Sequence, residues 1–205
     1  PWENSWSSFM DKSQRAARYA LVARIPRSAE ILIEDAFLST AGITRPIMGF
    51  HITVAGPYVW RAERPDTVLM RLARQCRRTQ PFTLAIGGAG TFDGEGSYAV
   101  YVHVQRSGPL LRLHRQVHGI LRRHIRLQRE LPTDGYLPHV TLGLGLTVEE
   151  RDRALAALAT RQLYLTVEIH ELHLMEEAPG TPWRAVRGFP LAGQPEPGPE
   201  QIHEE

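Results

Sequence analysis

Apolar and polar residues alternate along this chain in short runs that indicate strands, and between the runs apolar residues recur at helical spacing. β-branched and aromatic residues concentrate in six predicted strands: 19–25, 50–54, 82–86, 98–104, 138–142 and 163–169. Helices are predicted after four residues typical of helix starts: Pro26, Pro65, Ser107 and Thr147. The pattern therefore predicts β-α-β-α-β twice, over about 17–93 and 96–176.

Glycine, proline and arginine positions predict where these elements end. Gly56-Pro57 is expected to end the second strand, and the glycines at 87, 88 and 90 to loosen the end of the third. The third helix is predicted over 109–129, with leucines on one side and arginines on the other. That arginine side favours a solvated face, with binding of an RNA backbone as the alternative.

Similar strings stand at equivalent places in the two halves. Tyr19-Ala20-Leu21-Val22 resembles Tyr98-Ala99-Val100-Tyr101, and His51-Ile52-Thr53-Val54 matches His139-Val140-Thr141-Leu142 in type. Such a repeat predicts an α+β fold, a bilobal duplication of a β-α-β-α-β unit with pseudo-twofold symmetry. Antiparallel-rich sheets would surround a central cleft, with the helices outside. We predict one bilobal domain over 17–192, a polar lead-in at 1–16 and a disordered tail at 193–205.

Composition narrows the class of protein. Of 205 residues, 42% are hydrophobic and 22% are charged, as in soluble globular domains. No run of 18 apolar residues and no signal peptide is visible, so we predict no membrane partner. The single cysteine, Cys76, excludes an internal disulfide and a CxxC site, and is expected to be a small buried residue. A cytoplasmic monomer fits these observations.

His51-x-Thr53 and His139-x-Thr141 carry the candidate chemistry. Residues two apart in a strand share a face, so each motif presents an imidazole beside a hydroxyl. If the repeats are related by a twofold axis, both pairs converge on one point. One histidine can then accept a proton from the attacking oxygen of a phosphodiester reaction while the other protonates the leaving oxygen. The threonines would hold the non-bridging oxygens. No HExxH, carboxylate cluster or CxxC suggests a metal, and we predict no cofactor.

These motifs make the chain similar to the 2H phosphoesterase superfamily, whose members carry two HxT/S motifs. The matching strings are Phe50-His51-Ile52-Thr53-Val54-Ala55-Gly56-Pro57-Tyr58 and Pro138-His139-Val140-Thr141-Leu142-Gly143. Within that superfamily the chain resembles the branch of 2′-5′ RNA ligases and cyclic phosphodiesterases. Many relatives place an arginine just after the second motif, where Leu144 and Gly145 stand here.

The resemblance implies opening of a 2′,3′-cyclic phosphate, on an RNA end or a nucleotide, to a 2′-phosphate, as in RNA processing. It assigns His51 to protonation of the leaving 3′ oxygen and His139 to activation of water, with Thr53 and Thr141 binding phosphate. The near-symmetry of the site lets the two histidine roles exchange. The alternatives are reversible 2′-5′ joining of RNA ends and a module that binds AMP-like ligands without turnover.

Other residues are candidates for substrate binding. Tyr58 and Trp60 follow the first motif, and Tyr136 precedes the second; each either stacks on a base or packs at a strand end. Arg184 and Arg187 are either phosphate contacts or surface charges. His103 shares a strand face with Tyr101 and belongs either to the core or to the cleft wall. His114 and His118 could ligate a metal by their spacing, but a packing role is favoured.

Overall fold

Nine strands and four α-helices form the part of the chain that the computed structural model describes, residues 16–38, 41–61, 65–94, 96–127 and 135–194. The predicted tail 193–205 and the lead-in 1–16 lie almost wholly outside the described residues. The strands are β1 Arg18–Arg24, β2 His51–Trp60, β3 Phe82–Asp93, β4 Tyr98–Val104, β5 Ile125–Leu127, β6 His139–Leu146, β7 Tyr164–Ile169, β8 Glu171–Glu177 and β9 Arg184–Pro190. The helices are α1 Arg27–Ile33, which continues as a π-helical turn Glu34–Leu38, α2 Asp66–Arg78, α3 Gly108–Leu121 and α4 Val148–Arg161.

The strands form one antiparallel sheet in the order β7-β3-β4-β6-β2-β1-β8-β9, with β5 paired to the end of β2. Strands β6 and β2 stand at its centre, and Ile52 lies opposite Val140. Strand β3 belongs to the first repeat but pairs with β4 and β7, and β8 belongs to the second but pairs with β1. Each half of the sheet therefore contains strands of both repeats, so the halves do not coincide with the sequence repeats.

The helices pack on one face of this sheet. Alternate residues of the central strands, such as Leu21, Ile52, Val102 and Val140, belong to one large buried cluster with residues from all four helices. Helices α2 and α3 pack together against β9 and β2, while α4 packs on β3 and β4. Cys76 of α2 is fully buried in this cluster, as predicted, and burial raises the pKa of its thiol to about 12. No described helix is both long enough and apolar enough to cross a membrane.

Two helix starts follow their predicted signals. The Ser107 hydroxyl accepts a hydrogen bond from the backbone N–H of Leu110 at the start of α3. At α4, Thr147 and Glu150 form the reciprocal capping box, each side chain bonding the other residue's backbone N–H. Local sequence therefore suffices to place these two starts.

The glycine-rich strand ends differ from the prediction. Strand β2 continues through Gly56-Pro57 to Trp60, with a bulge where its pairing with β1 shifts. A Cβ on Gly56 would lie 2.9 Å from the Ala20 Cα, so the close approach of β1 requires glycine. Strand β3 likewise continues past its glycines to Asp93. A Cβ on Gly87 or Gly90 would lie 2.3 or 2.4 Å from the ring of Tyr164 or Tyr101, so these glycines make room for rings on neighbouring strands.

The third helix is shorter than predicted. It ends at Leu121, and Ile125–Leu127 forms β5 against the end of β2, so an arginine face over 109–129 does not exist as one helical surface. Strand β9, which carries Arg184 and Arg187, was not predicted because its alternation is weak and its outer residues are largely exposed.

Candidate active site

Both HxT motifs begin the two central strands of the sheet. In β2 and β6 the residues between the motif positions, Ile52 and Val140, point into the core. His51 and Thr53, and likewise His139 and Thr141, therefore face the opposite, helix-free side of the sheet. Because the strands are antiparallel and Ile52 stands opposite Val140, the register places His51 beside Thr141 and Thr53 beside His139.

This register gives the site its symmetry. A twofold axis through the Ile52–Val140 pair exchanges the two histidines and the two threonines. The predicted convergence of the motifs is thus met within one sheet, across two adjacent strands. Two imidazoles and two hydroxyls surround the axis, and a group with tetrahedrally arranged oxygens matches that set of donors.

Each imidazole is held through its Nδ1 atom. His51 Nδ1 lies 2.9 Å from the Gly49 carbonyl oxygen, and His139 Nδ1 lies 2.8 Å from the Leu137 carbonyl oxygen. A carbonyl only accepts hydrogen bonds, so Nδ1 carries the proton in both rings. Nε2 is then the atom that accepts or donates a proton in the site, and the two rings are oriented in the same way.

The surroundings lower the pKa of both imidazoles. Burial is the largest cause for His51, and the charges of His139 and Arg24 lower its pKa further. Burial also lowers the pKa of His139, with an added contribution from the charge of His103. In each case the hydrogen bond from Nδ1 to the backbone carbonyl raises the pKa and partly offsets the effect of burial. Since the usual value is 6.5, both imidazoles are mainly neutral at pH 7 in the free protein.

The strands outside the central pair bring further residues to the site. On β1, Arg24 lies opposite His51 and Val22 opposite Thr53. On β4, His103 lies opposite His139 and Tyr101 opposite Thr141. The ring of Phe92, from β3, stacks on Tyr101 at 4.4 Å and meets His139 edge-on at 5.1 Å. His103 thus lies beside His139 on the face of the sheet that carries the motifs, and not in the core.

Tyr136 is hydrogen-bonded to the backbone of the first motif. Its hydroxyl donates a 2.9 Å hydrogen bond to the Thr53 carbonyl oxygen, and its buried ring stacks on His114 at 3.8 Å. His114 Nδ1 bonds the carbonyl oxygen of Val54 at 2.8 Å. The prediction that Tyr136 stacks on substrate is therefore wrong, because His114 covers its ring; it is a positioning residue for β2. The packing role predicted for His114 is confirmed.

Two other predicted substrate contacts lie away from the motifs. Tyr58 is completely buried between Tyr19 and Trp60, so it has no free ring face for a base. Trp60 lines a groove of about 500 Å³ with Tyr19, Leu69, Leu174 and Val186. In β8 Leu174 faces the core, so this groove lies on the helix side of the sheet. Because β2 continues past Gly56-Pro57, Tyr58 and Trp60 lie on the same face as Ile52 and contact each other edge-on at 5.1 Å, so Tyr58 packs at the strand end and does not stack on substrate.

Arg184 also lies outside the candidate site. Its guanidinium makes a 2.8 Å ion pair with Glu176, which accepts a 2.8 Å hydrogen bond from the Tyr19 hydroxyl. Tyr19 belongs to the helix side of the sheet, whereas His173 and Met175, on either side of Leu174 in β8, face the other way. The predicted phosphate contact is corrected to an ion pair on the far face.

Sequence reasoning missed Arg24 and Phe92 as site residues and left His103 undecided. The internal repeat could have indicated Arg24 and His103. Extending the match of 19–22 with 98–101 by two residues aligns Arg24 with His103. Phe92 had no such signal, because β3 was expected to end before it. Among the described residues, no three His, Cys, Asp or Glu side chains are grouped as metal ligands.

The chain belongs to the 2′-5′ RNA ligase superfamily, the 2H phosphoesterases: the sequence profile of that superfamily matches residues 47–181, which include both motifs. A protein of Bacillus cereus strain G9842 whose name classes it as a phosphoesterase is 28% identical over 141 residues, 69% of this chain and 78% of that protein. A Bacillus anthracis protein named in the same way is 26% identical over the same shares. These relatives support an enzyme that acts on phosphoesters.

Solved structures share the fold. TT0787 of Thermus thermophilus superposes with a TM-score of 0.60 at 20% identity, over 86% of this chain and 99% of that one. Escherichia coli LigT in complex with NADP+ gives 0.59 at 18% identity, over 87% and 99%. Kluyveromyces marxianus Usb1 with uridine monophosphate gives 0.55 at 14% identity, over 85% and 98%. The predicted α+β duplication is confirmed by these likenesses.

Proposed function

We propose that this protein opens 2′,3′-cyclic phosphates of RNA ends or nucleotides to 2′-phosphates, without a metal ion, through paired histidine acid–base catalysis. The observation that carries the proposal is the twofold arrangement of His51, Thr53, His139 and Thr141, with both Nδ1 atoms bonded to backbone carbonyls. A site that only bound nucleotides would need no matched pair of proton carriers. LigT with 3′-AMP and Usb1 with uridine monophosphate support a nucleotide as ligand.

The proposed step moves two protons. His139 Nε2 accepts a proton from water as the water oxygen attacks phosphorus. The bond from phosphorus to the 3′ oxygen breaks, and protonated His51 gives its Nε2 proton to that oxygen. The product is a 2′-phosphate with a free 3′ hydroxyl, and exchange with solvent restores the starting protonation of the pair. The two roles follow the family assignment, and the twofold symmetry gives the reverse reaction the same groups.

The threonine hydroxyls complete the proposed site. Each lies beside the histidine of the other motif in the register of β2 and β6. Negative charge grows on the non-bridging oxygens as water adds to phosphorus, and fixed hydroxyl donors in a partly buried site stabilise that charge. Phe92 offers an exposed ring beside His139 on which a base can stack.

The direct test is incubation of the full chain, treated with EDTA, with 2′,3′-cyclic AMP. We expect a 2′-phosphate, identified by phosphorus NMR, from the wild type and none from a protein carrying both His51→Ala and His139→Ala. Loss of activity in EDTA that zinc or magnesium restores would contradict the metal-independent mechanism. Tight AMP binding with no hydrolysis of either a cyclic mononucleotide or an RNA cyclic end would favour the binding module.

The pH dependence follows from the lowered pKa values of the two imidazoles. The reaction needs one neutral and one protonated ring, and the fraction of protein in that form peaks between the two pKa values. Both lie below the usual 6.5 in the free protein. We therefore expect kcat/KM to peak below pH 6.5 and to fall by about tenfold per pH unit well above it. A bound phosphate anion favours the protonated ring, so kcat should peak at higher pH. A kcat/KM maximum near pH 8 would contradict the pair.

A further inference from the structure

The two flanks of the twofold site carry different side chains. Arg24 and His103 occupy equivalent places, one opposite His51 and the other opposite His139. Beside them, Val22 and Tyr101 also correspond. The catalytic candidates are thus symmetric, whereas a permanent cation stands on one side and aromatic rings on the other. A substrate with two unlike ends would bind such a site in one direction.

The aromatic flank suits a nucleobase. The Phe92 side chain is 43% exposed, and its ring stacks on the almost fully buried ring of Tyr101. Tyr101 also contacts the rings of His103 and His139, at 5.2 and 5.1 Å. These contacts fix the orientation of Phe92 and leave part of its ring open to solvent. A base that stacks there would strengthen binding of the substrate.

The cationic flank suits an anion. Arg24 is exposed, and within the described ranges no carboxylate lies within ion-pair distance of its guanidinium. Glu171, an acidic residue of the neighbouring strand β8 on the same face as His173, is instead 3.4 Å from His173. Arg24 stands opposite His51 in the sheet, and its charge lowers the pKa of both His51 and His173. Leu144 and Gly145 stand just after the second motif, whereas Arg24 stands opposite His51 of the first motif.

Building on the proposed hydrolysis, we propose that Arg24 binds a second phosphate of the substrate, the internucleotide phosphate that precedes a cyclic phosphate end. The terminal base then stacks on Phe92, and the cyclic phosphate lies between the two histidines. The preferred substrate class is an oligoribonucleotide with a 2′,3′-cyclic phosphate end, and a cyclic mononucleotide leaves the Arg24 flank empty. An arginine–phosphate contact, bidentate where geometry allows, is a charge-assisted hydrogen bond of the strong kind.

The test compares 2′,3′-cyclic AMP with the dinucleotide ApA ending in a 2′,3′-cyclic phosphate. A hydrogen bond to a charged group contributes about 1.5–3 kcal/mol, so wild-type kcat/KM should be at least about tenfold higher for the dinucleotide. Arg24→Gln should lower kcat/KM about tenfold for the dinucleotide and leave that for the mononucleotide nearly unchanged, so that the preference disappears. Arg24→Lys should keep part of the preference. Arg71→Gln, an exposed arginine on helix α2, is the matched control and should change neither rate.

A dinucleotide with an uncharged methylphosphonate linkage separates charge from size. Wild-type kcat/KM for this analogue should be close to that for the mononucleotide. Equal wild-type rates for the charged dinucleotide and the mononucleotide, or a preference that survives Arg24→Gln, would overturn the role of Arg24 while leaving the proposed hydrolysis intact. Hydrolysis of none of the three substrates would instead overturn the proposed function and, with it, this assignment.

Discussion

Alanine at His51 or His139 is expected to lower kcat for 2′,3′-cyclic AMP by about 100- to 10,000-fold, the usual contribution of a general acid or base. Each ring supplies the only Nε2 proton carrier of its motif, and its Nδ1 is already committed to a backbone carbonyl. The double variant should show no turnover above background. Phosphorus NMR and initial rates at the optimal pH measure both effects.

A substrate with an activated leaving group separates the two histidine roles. The nitrophenolate group of a nitrophenyl phosphodiester leaves as a stable anion and needs no proton. His51→Ala should therefore lose much less activity on this substrate than on the cyclic nucleotide. His139→Ala should lose as much on both, because water still needs a base. His170→Ala, an exposed histidine between β7 and β8, is the matched control and should retain wild-type rates. Full activity of the double variant would remove both residues from the mechanism.

Replacement of Thr141 by valine is expected to lower kcat by about 100- to 1,000-fold, the cost of removing one preorganised donor from a developing oxyanion. Valine keeps the shape and strand preference of threonine and deletes the hydroxyl, so the effect reports the lost donor. Thr53→Val should behave alike, because the twofold axis places the two hydroxyls equivalently. The measurement is kcat and KM for the cyclic nucleotide at each variant's own optimal pH.

Serine provides the control for that series. Thr141→Ser keeps the hydroxyl and should recover most of the activity, whereas Thr166→Val, on the exposed face of β7, should change nothing. A loss in Thr141→Val that appears only in KM would assign the hydroxyl to ground-state binding. Equal activity of the valine and wild-type proteins would show that the hydroxyl takes no part in the reaction.

The sequence predicted the centre of this molecule better than its periphery. The placement of His51, Thr53, His139 and Thr141 side by side on one face was predictable, because strand alternation and an internal repeat are local patterns that a single sequence displays. The fold class followed from the same repeat. The exchange of β3 and β8 between the halves of the sheet was not predictable, because strand pairing over such distances leaves no local pattern.

Substrate-binding predictions failed for a related reason. Tyr58 and Tyr136 stand close to the motifs in sequence, but distance along the chain does not tell which face of a strand or loop a side chain occupies. Strand β2 was expected to end at Gly56-Pro57, but it continues, so Tyr58 shares the core face with Ile52 and Val54. His114, from helix α3, covers the ring of Tyr136. Arg24 and Phe92 lie beside the histidines because of cross-strand register, which the full sheet order alone determines.

The strand exchange bears on how such an enzyme could arise. A chain of one repeat would carry β1, β2 and β3, of which the third has no partner among the other two. Two copies could complete the sheet only by giving each other that strand, and the paired histidines would then come from different subunits. Gene fusion of such a strand-exchanged dimer would free each copy to vary separately. One copy could then acquire an arginine where the other has a histidine, and a site inherited as symmetric would gain a direction.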